Sequence, residues 1–213
     1  MVKKTTTRKE LKAGNRQRLI LAALELFGQL GYRETTLEAI AERAGFHVQT
    51  LYRHFDNKVQ LAMAGEEEQL ANFKIAIRNP TRTNTTVQFW RDYVGIAAEK
   101  AVVADGGQAY RQVLKNYLDT PAISPVLARI GRDYRALLAD YLERDLVLTN
   151  PADRKEVARL IAITLWGANE HVAASHRRMD GFDLVHEAVA VIDRIEKLYS
   201  HVLINDTAKC KDT

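Results

Sequence analysis

Apolar residues recur every three to four positions along almost the whole chain. Leu19, Ala23, Leu26, Phe27 and Leu30 form a stripe at helical spacing over about residues 15–30, and Gly31 closes it. Ile40, Ala41 and Ala44 share one face of a short run, Thr36–Ala44, and Leu51 and Phe55 share one face of the next. A longer period spans about 57–77 and ends at the turn-forming stretch Asn79-Pro80-Thr81-Arg82-Thr83-Asn84. Beyond it, helical periods run near 85–104, 107–119, 123–147, 152–178 and 182–204. Asp105-Gly106-Gly107, Thr120-Pro121, Thr149-Asn150-Pro151 and Asp180-Gly181 divide them. No strand-like alternation stands out, so the pattern predicts an all-α fold of about nine helices. The division expected is a flexible basic arm (1–15), a small helical head (16–60), a larger helical body (61–204) and a polar tail (205–213).

The stretch LEAIAERAGFHVQTLYRHF, Leu37 to Phe55, carries the most specific signal. Gly45 falls where a helix ends in the left-handed region that glycine enters at least cost. Two short helices joined by such a turn make a helix-turn-helix, whose second helix, here about Val48–Phe55, enters a DNA major groove. An ordinary αα-corner has the same outline, and charge separates the two. Residues 1–60 hold 11 Lys+Arg against 6 Asp+Glu, while the rest of the chain holds 20 against 21. The net positive charge therefore sits on the segment with the motif, as nucleic-acid binding requires.

Residue chemistry then distributes roles. Val48, Gln49 and Thr50 occupy the first turn of the second helix. Gln can bond adenine bidentately, and Thr and Val methyls can meet the thymine methyl. Tyr52, Arg53, His54 and Lys58 carry hydroxyl, cationic and imidazole groups suited to phosphate oxygens, which fix register without reading sequence. Arg53 is placed to reach either a phosphate or a base. Thr35 or Thr36 is expected to cap the first helix of the motif. The alternatives for the arm are a solvated tail or a reach along the DNA.

Residues from about 16 to 63 resemble the N-terminal domain of the tetracycline-repressor (TetR) family of transcriptional regulators. The carriers are RLILAALELFGQLGY, TTLEAIAERAGF and TLYRHFDNKVQLA, with Phe27, Gly31, Tyr32, Tyr52, His54, Phe55, Lys58 and Leu61 in family order and spacing. The resemblance implies backbone phosphate contacts by Thr36, Tyr52, His54 and Lys58, and a helix after residue 57 that tethers the head to the body. It also implies a homodimer through the last two long helices, about 152–178 and 182–204, on a palindromic operator in double-stranded DNA. His47 departs from the serine usual in the family, which puts its cap contact in question and makes a pH effect on DNA binding conceivable. The remaining two-thirds of the chain carries no family motif.

Aromatic residues gather in the middle helices: Phe89, Trp90, Tyr93, Tyr110, Tyr117, Tyr134 and Trp166, with Asn169 and Glu170 one turn further on. Apolar walls with a few polar anchors describe a site for a small-molecule effector, and equally a core or an interface. The apolar faces expected for dimerisation are Val157, Leu160, Ile161, Thr164, Leu165 and Ala168, and Val185, Val189, Ile192, Ile195, Leu198 and Val202. Glu66-Glu67-Glu68 is read as a solvated face. His171 and His176 are not spaced as a metal pair, and neither a metal nor another cofactor is expected. No nucleophile elbow, phosphate loop or paired-carboxylate motif points to an enzyme. The single cysteine, Cys210, excludes a disulfide framework. No apolar run approaches the ~18 residues of a membrane span. The chain therefore reads as a cytoplasmic DNA-binding regulator, most simply a homodimeric repressor released by an effector. The alternatives are an activator or architectural factor without an effector and, more remotely, an enzyme with a DNA-binding head.

Overall fold

The computed structural model describes residues 8–103, 106–118 and 120–204. The expected tail with Cys210 and the first residues of the expected arm lie outside the described residues. Among the described residues ten α-helices follow one another: α1 (Arg8–Leu30), α2 (Leu37–Arg43), α3 (Val48–Tyr52), α4 (Lys58–Ala62), α5 (Ala64–Ile77), α6 (Thr86–Val102), α7 (Gln108–Leu118), α8 (Ser124–Leu142), α9 (Pro151–Arg178) and α10 (Leu184–Leu198). A 3₁₀ turn, Glu143–Asp145, follows α8, and the only β pairing among the described residues is an isolated bridge between Leu146 and Leu203.

Local chemistry sets the boundaries. Gly31 and Gly45 have φ of 89° and 74°, the left-handed values that end α1 and turn α2 into α3. Thr36, not Thr35, caps α2, its hydroxyl accepting from the Ala39 amide at 3.1 Å. Thr35 is buried instead and donates to the Gly31 carbonyl at 2.8 Å, which fixes the loop. Asn57 caps α4 through the Gln60 amide, and Thr85 caps α6 in a reciprocal capping box with Gln88.

Several expected boundaries moved. The run 57–77 is two helices, because Met63 (φ −90°, ψ 0°) breaks the spiral between α4 and α5. Helix α1 starts at Arg8, so residues 8–15 of the expected arm continue the first helix; the good helix formers Glu10, Leu11, Lys12 and Ala13 explain why. Ser124 lies inside α8, whose cap position is Ile123. The last helix ends at Leu198 rather than 204, and the chain turns so that the Val202 carbonyl accepts from the Val147 amide.

Two apolar clusters organise the molecule. The head cluster joins α1 to α4 through Leu19, Ala23, Phe27, Ile40, Leu51, Phe55 and Leu61. The body cluster joins α5, α6, α8, α9 and α10 around Phe73, Trp90, Leu138, Ile161, Leu165 and Ile192. Helix α7 bridges them. Its Tyr117 lies in the head cluster, 6.3 Å from the Phe27 ring, and donates to the Ala62 carbonyl at 3.0 Å. Burial of these large side chains is the main source of stability.

Candidate functional site

The head presents α3 outward. Leu51 and Phe55 are buried under it, so alternate residues are fixed to the far side. His47, Gln49, Tyr52 and Arg53 are exposed, and the Tyr52 ring keeps 51% of its surface. Thr50 and His54 are half-buried. Val48 is half-buried and packs against the head cluster. Thr36 is exposed at the start of α2. Lys58 folds inward: its ammonium donates to the Arg33 carbonyl at 3.2 Å and lies 4.5 Å above the Tyr32 ring. Burial pushes its pKa down, with Glu34 opposing. An ammonium has three donors, so two remain for a phosphate. Burial, with Lys12 and Arg16 nearby, also lowers the His54 pKa and favours the neutral ring.

His47 stands at the cap position of α3 and makes no side-chain cap bond, so the first-turn amides of the helix lack that acceptor. We expect His47→Ser to stabilise the head by about 0.5–2 kcal/mol, read as a higher unfolding midpoint. A midpoint unchanged or lowered would contradict this.

Three arginine and glutamate contacts were not foreseen. The Arg18 guanidinium donates to the Ala44 carbonyl at 2.7 Å and covers the Phe46 ring at 4.5 Å, buttressing the helix-turn-helix corner. Arg16 lies 4.9 Å from the Phe55 ring centroid and pairs with Glu68 of α5. Arg129 of α8 pairs with Glu67. The acidic triplet is therefore not a solvated face. Glu68 binds the head, Glu67 binds α8 and Glu66 faces a cavity. Successive helical positions point about 100° apart, and that rotation separates the three.

The cavity lies in the body and has a volume of about 530 Å³. Of the aromatic residues singled out, Trp90, Tyr93, Tyr110, Tyr134 and Trp166 line it, as does Asn169. Two do not. Phe89 packs on Phe73 and Tyr93 behind the wall, with the Arg82 guanidinium at 5.3 Å. Tyr117 belongs to the head cluster, because α7 passes under the head. Glu170 is exposed and accepts a bond from Trp166 Nε1 at 2.8 Å. It orients the indole rather than lining the space. Glu66, Gln69 and Asn72 of α5 supply polar groups that aromatic spacing alone did not reveal. Their successive three-residue spacings put them on one side of the helix, but nothing in the sequence says which side meets the rings.

Ring geometry holds the wall. Trp90 and Tyr93 stack at 6.0 Å and 16°, and Tyr134 and Trp166 stack at 5.1 Å and 22°. The Tyr93 hydroxyl donates to the Gln69 carbonyl at 3.0 Å. Gly131 lets Trp166 approach, since a Cβ there would stand 3.0 Å from the indole. Burial raises the hydroxyl pKa values of Tyr93, Tyr110 and Tyr134, and raises that of the Glu66 carboxyl.

His176 is buried against Tyr110, with Nε2 3.1 Å from the Gly107 carbonyl oxygen. No group of His, Cys, Asp and Glu able to hold a metal occurs among the described residues. No described helix is long and apolar enough to cross a membrane.

Residues 19–64 match the family model described as bacterial regulatory proteins, tetR family. The HTH-type transcriptional activator FasR of Mycolicibacterium smegmatis is 32% identical over 107 residues. That match takes in 50% of this chain and 48% of FasR, so the chain spans about half the length of this curated relative. Among solved structures, the SmeT–triclosan complex superposes with a TM-score of 0.69 at 18% identity, over 90% of this chain and 93% of that one. SmeT, the repressor of the Stenotrophomonas maltophilia multidrug efflux pump SmeDEF, gives a TM-score of 0.63 at 21% identity, covering 89% and 91%. The structural likeness shows the shared fold. The match of residues 19–64 and their helix-turn-helix geometry make the head similar to that of bacterial regulatory proteins of the tetR family.

Proposed function

We propose that the protein is a homodimeric transcriptional repressor that binds a near-palindromic operator through α3 and releases it when a small molecule fills the body cavity. The carrying observation is the outward face of α3: Gln49, Tyr52 and Arg53 stand exposed on a helix anchored from behind by Leu51 and Phe55, in the positively charged part of the chain. Gln49 and Thr50 read base edges, while Thr36, Tyr52, His54 and Lys58 hold phosphates, with Arg53 beside them. The resemblance supports these roles. Such a protein works in the cytoplasm, where the DNA is. No enzymatic step is assigned to it.

Dimerisation uses what the protomer leaves uncovered. Ile161, Leu165, Ile192 and Ile195, expected on the dimer faces, are buried inside the protomer. Leu160, Ile163 and Leu198 keep 47%, 56% and 71% of their surface. Leu160, Ile163 and Gly167 fall on one stripe of α9. These residues are the proposed contact. Two heads so joined read two half-sites about 34 Å apart, which one small head cannot do.

Linkage supplies the switch. An effector that binds one head spacing better favours it, and operator DNA weakens effector binding by the same factor. Helix α5 is the connecting element, since its Glu66 faces the cavity and its Glu68 holds Arg16 beside Phe55 at the end of α3. The SmeT–triclosan complex, which shares the fold, supports a small-molecule reading of the cavity.

Two substitutions test the head. Gln49→Ala is expected to cost roughly 1–3 kcal/mol at one base position and relax preference there, whereas Tyr52→Phe weakens binding to all duplexes alike. Titration of operator and scrambled duplexes at one salt concentration reads both. A uniform loss for Gln49→Ala would remove it from the base-reading set.

A further inference from the structure

Glu66 is half-buried and lines a cavity whose other walls are mainly aliphatic and aromatic. Among the described residues no basic side chain forms an ion pair with it. Burial, not a neighbouring cation, sets its ionisation. The ionisable groups that sense its charge are the hydroxyls of Tyr93, Tyr110, Tyr117 and Tyr134, all neutral near pH 7. Lys100 also borders the cavity but is an exposed residue on α6. A carboxylate held away from water without a partner is costly, and a bound positive charge removes that cost. Aromatic faces attract cations as well, most strongly tryptophan. Trp90, Tyr93, Tyr134 and Trp166 supply four such rings, and Asn169, Gln69 and Asn72 add neutral polar groups. A volume of about 530 Å³ suits a drug-sized molecule.

We propose that the cavity selects a lipophilic organic monocation, an aromatic ammonium or phosphonium, with its charge at Glu66 and its apolar body against Trp90, Tyr93, Tyr134 and Trp166. The proposal rests on reading the cavity as the effector site, and adds the ligand's charge class. An organic anion would meet Glu66 with like charge. A neutral molecule gives the carboxyl no partner for ionisation and leaves it protonated by burial.

The two tryptophans of the chain, Trp90 and Trp166, both line the cavity and report on it by fluorescence. The full-length protein is titrated with tetraphenylphosphonium, with tetraphenylborate as the anion of the same shape, and with neutral N-phenyl-1-naphthylamine. The cation is expected to bind at least about tenfold more tightly than the anion. Glu66→Gln keeps the shape and removes the charge. It is expected to weaken the cation at least about tenfold and leave the neutral dye within about twofold. Equal binding of cation and anion to the natural protein would overturn the charge assignment while leaving the cavity reading intact; this comparison does not depend on the variant folding. Binding of none of the three would overturn the cavity reading, and this proposal with it.

Discussion

Ile163→Asp is expected to turn the proposed dimer into a monomer and to lower affinity for a two-half-site duplex by about 10²–10⁴-fold, while affinity for a single half-site stays the same. Ile163 lies on α9 with 56% of its surface uncovered, between Leu160 and Gly167 on the same stripe. A Cβ added at Gly167 would meet nothing, so this side of the helix is open to a partner. In a two-fold contact each residue acts twice, so one substitution places two carboxylates in an apolar interface. Desolvating both without partners costs several kcal/mol. The head lies far along the chain and in a separate cluster, so its fold does not depend on Ile163. Sedimentation velocity with paired and single-site duplexes measures both effects. A dimer that survives Ile163→Asp would place the interface elsewhere.

Phe73→Ala is expected to cost about 3–5 kcal/mol. Phe73 is fully buried on α5 and is the hub of the aromatic cluster. Its ring centroid lies 4.8 Å from Tyr134, 5.0 Å from Tyr93, 5.6 Å from Trp90 and 5.7 Å from Phe89. All four of these rings stand edge-on or tilted to it, the arrangements that aromatic quadrupoles favour. Phe73 therefore fixes α5 to α6 and α8 and backs the cavity wall. Removing the ring leaves a void that rigid neighbours on two helices, α6 and α8, cannot close. The unfolding midpoint is expected to fall by on the order of 10 °C. A fall of less than about 2 °C would mean that the cluster does not hold α5 to the body.

The head was legible in the sequence because its signals are local. Gly31 and Gly45 mark turns through one backbone angle, and Thr36 and Asn57 mark helix starts through one hydrogen bond each. The body was legible as helices but not as partners. Periodicity reveals that Ile161 and Leu165 share an apolar face, not whether that face meets a second copy or the protomer's own α8 and α10. The same limit explains Tyr117, which has the spacing of a body residue and packs under the head. Glu66, Glu67 and Glu68 carry identical chemistry, and only the rotation of α5 assigns each a different neighbour. The break at Met63 falls two residues before Gly65, with no proline or turn-forming cluster to announce it. Arg16 and Arg18 reach across more than twenty residues of chain to Glu68 and Ala44, and such pairings leave no mark in a single sequence.

Selection of duplexes from a random pool at two salt concentrations measures sequence-specific recognition by α3. Phosphate attraction weakens steeply with salt for every duplex alike, whereas base contacts persist as a difference between sequences. The natural protein is expected to enrich an inverted repeat whose half-sites are centred about 34 Å apart, and the repeat to survive the higher salt. Enrichment of no common sequence, with binding that vanishes as salt rises, would contradict it.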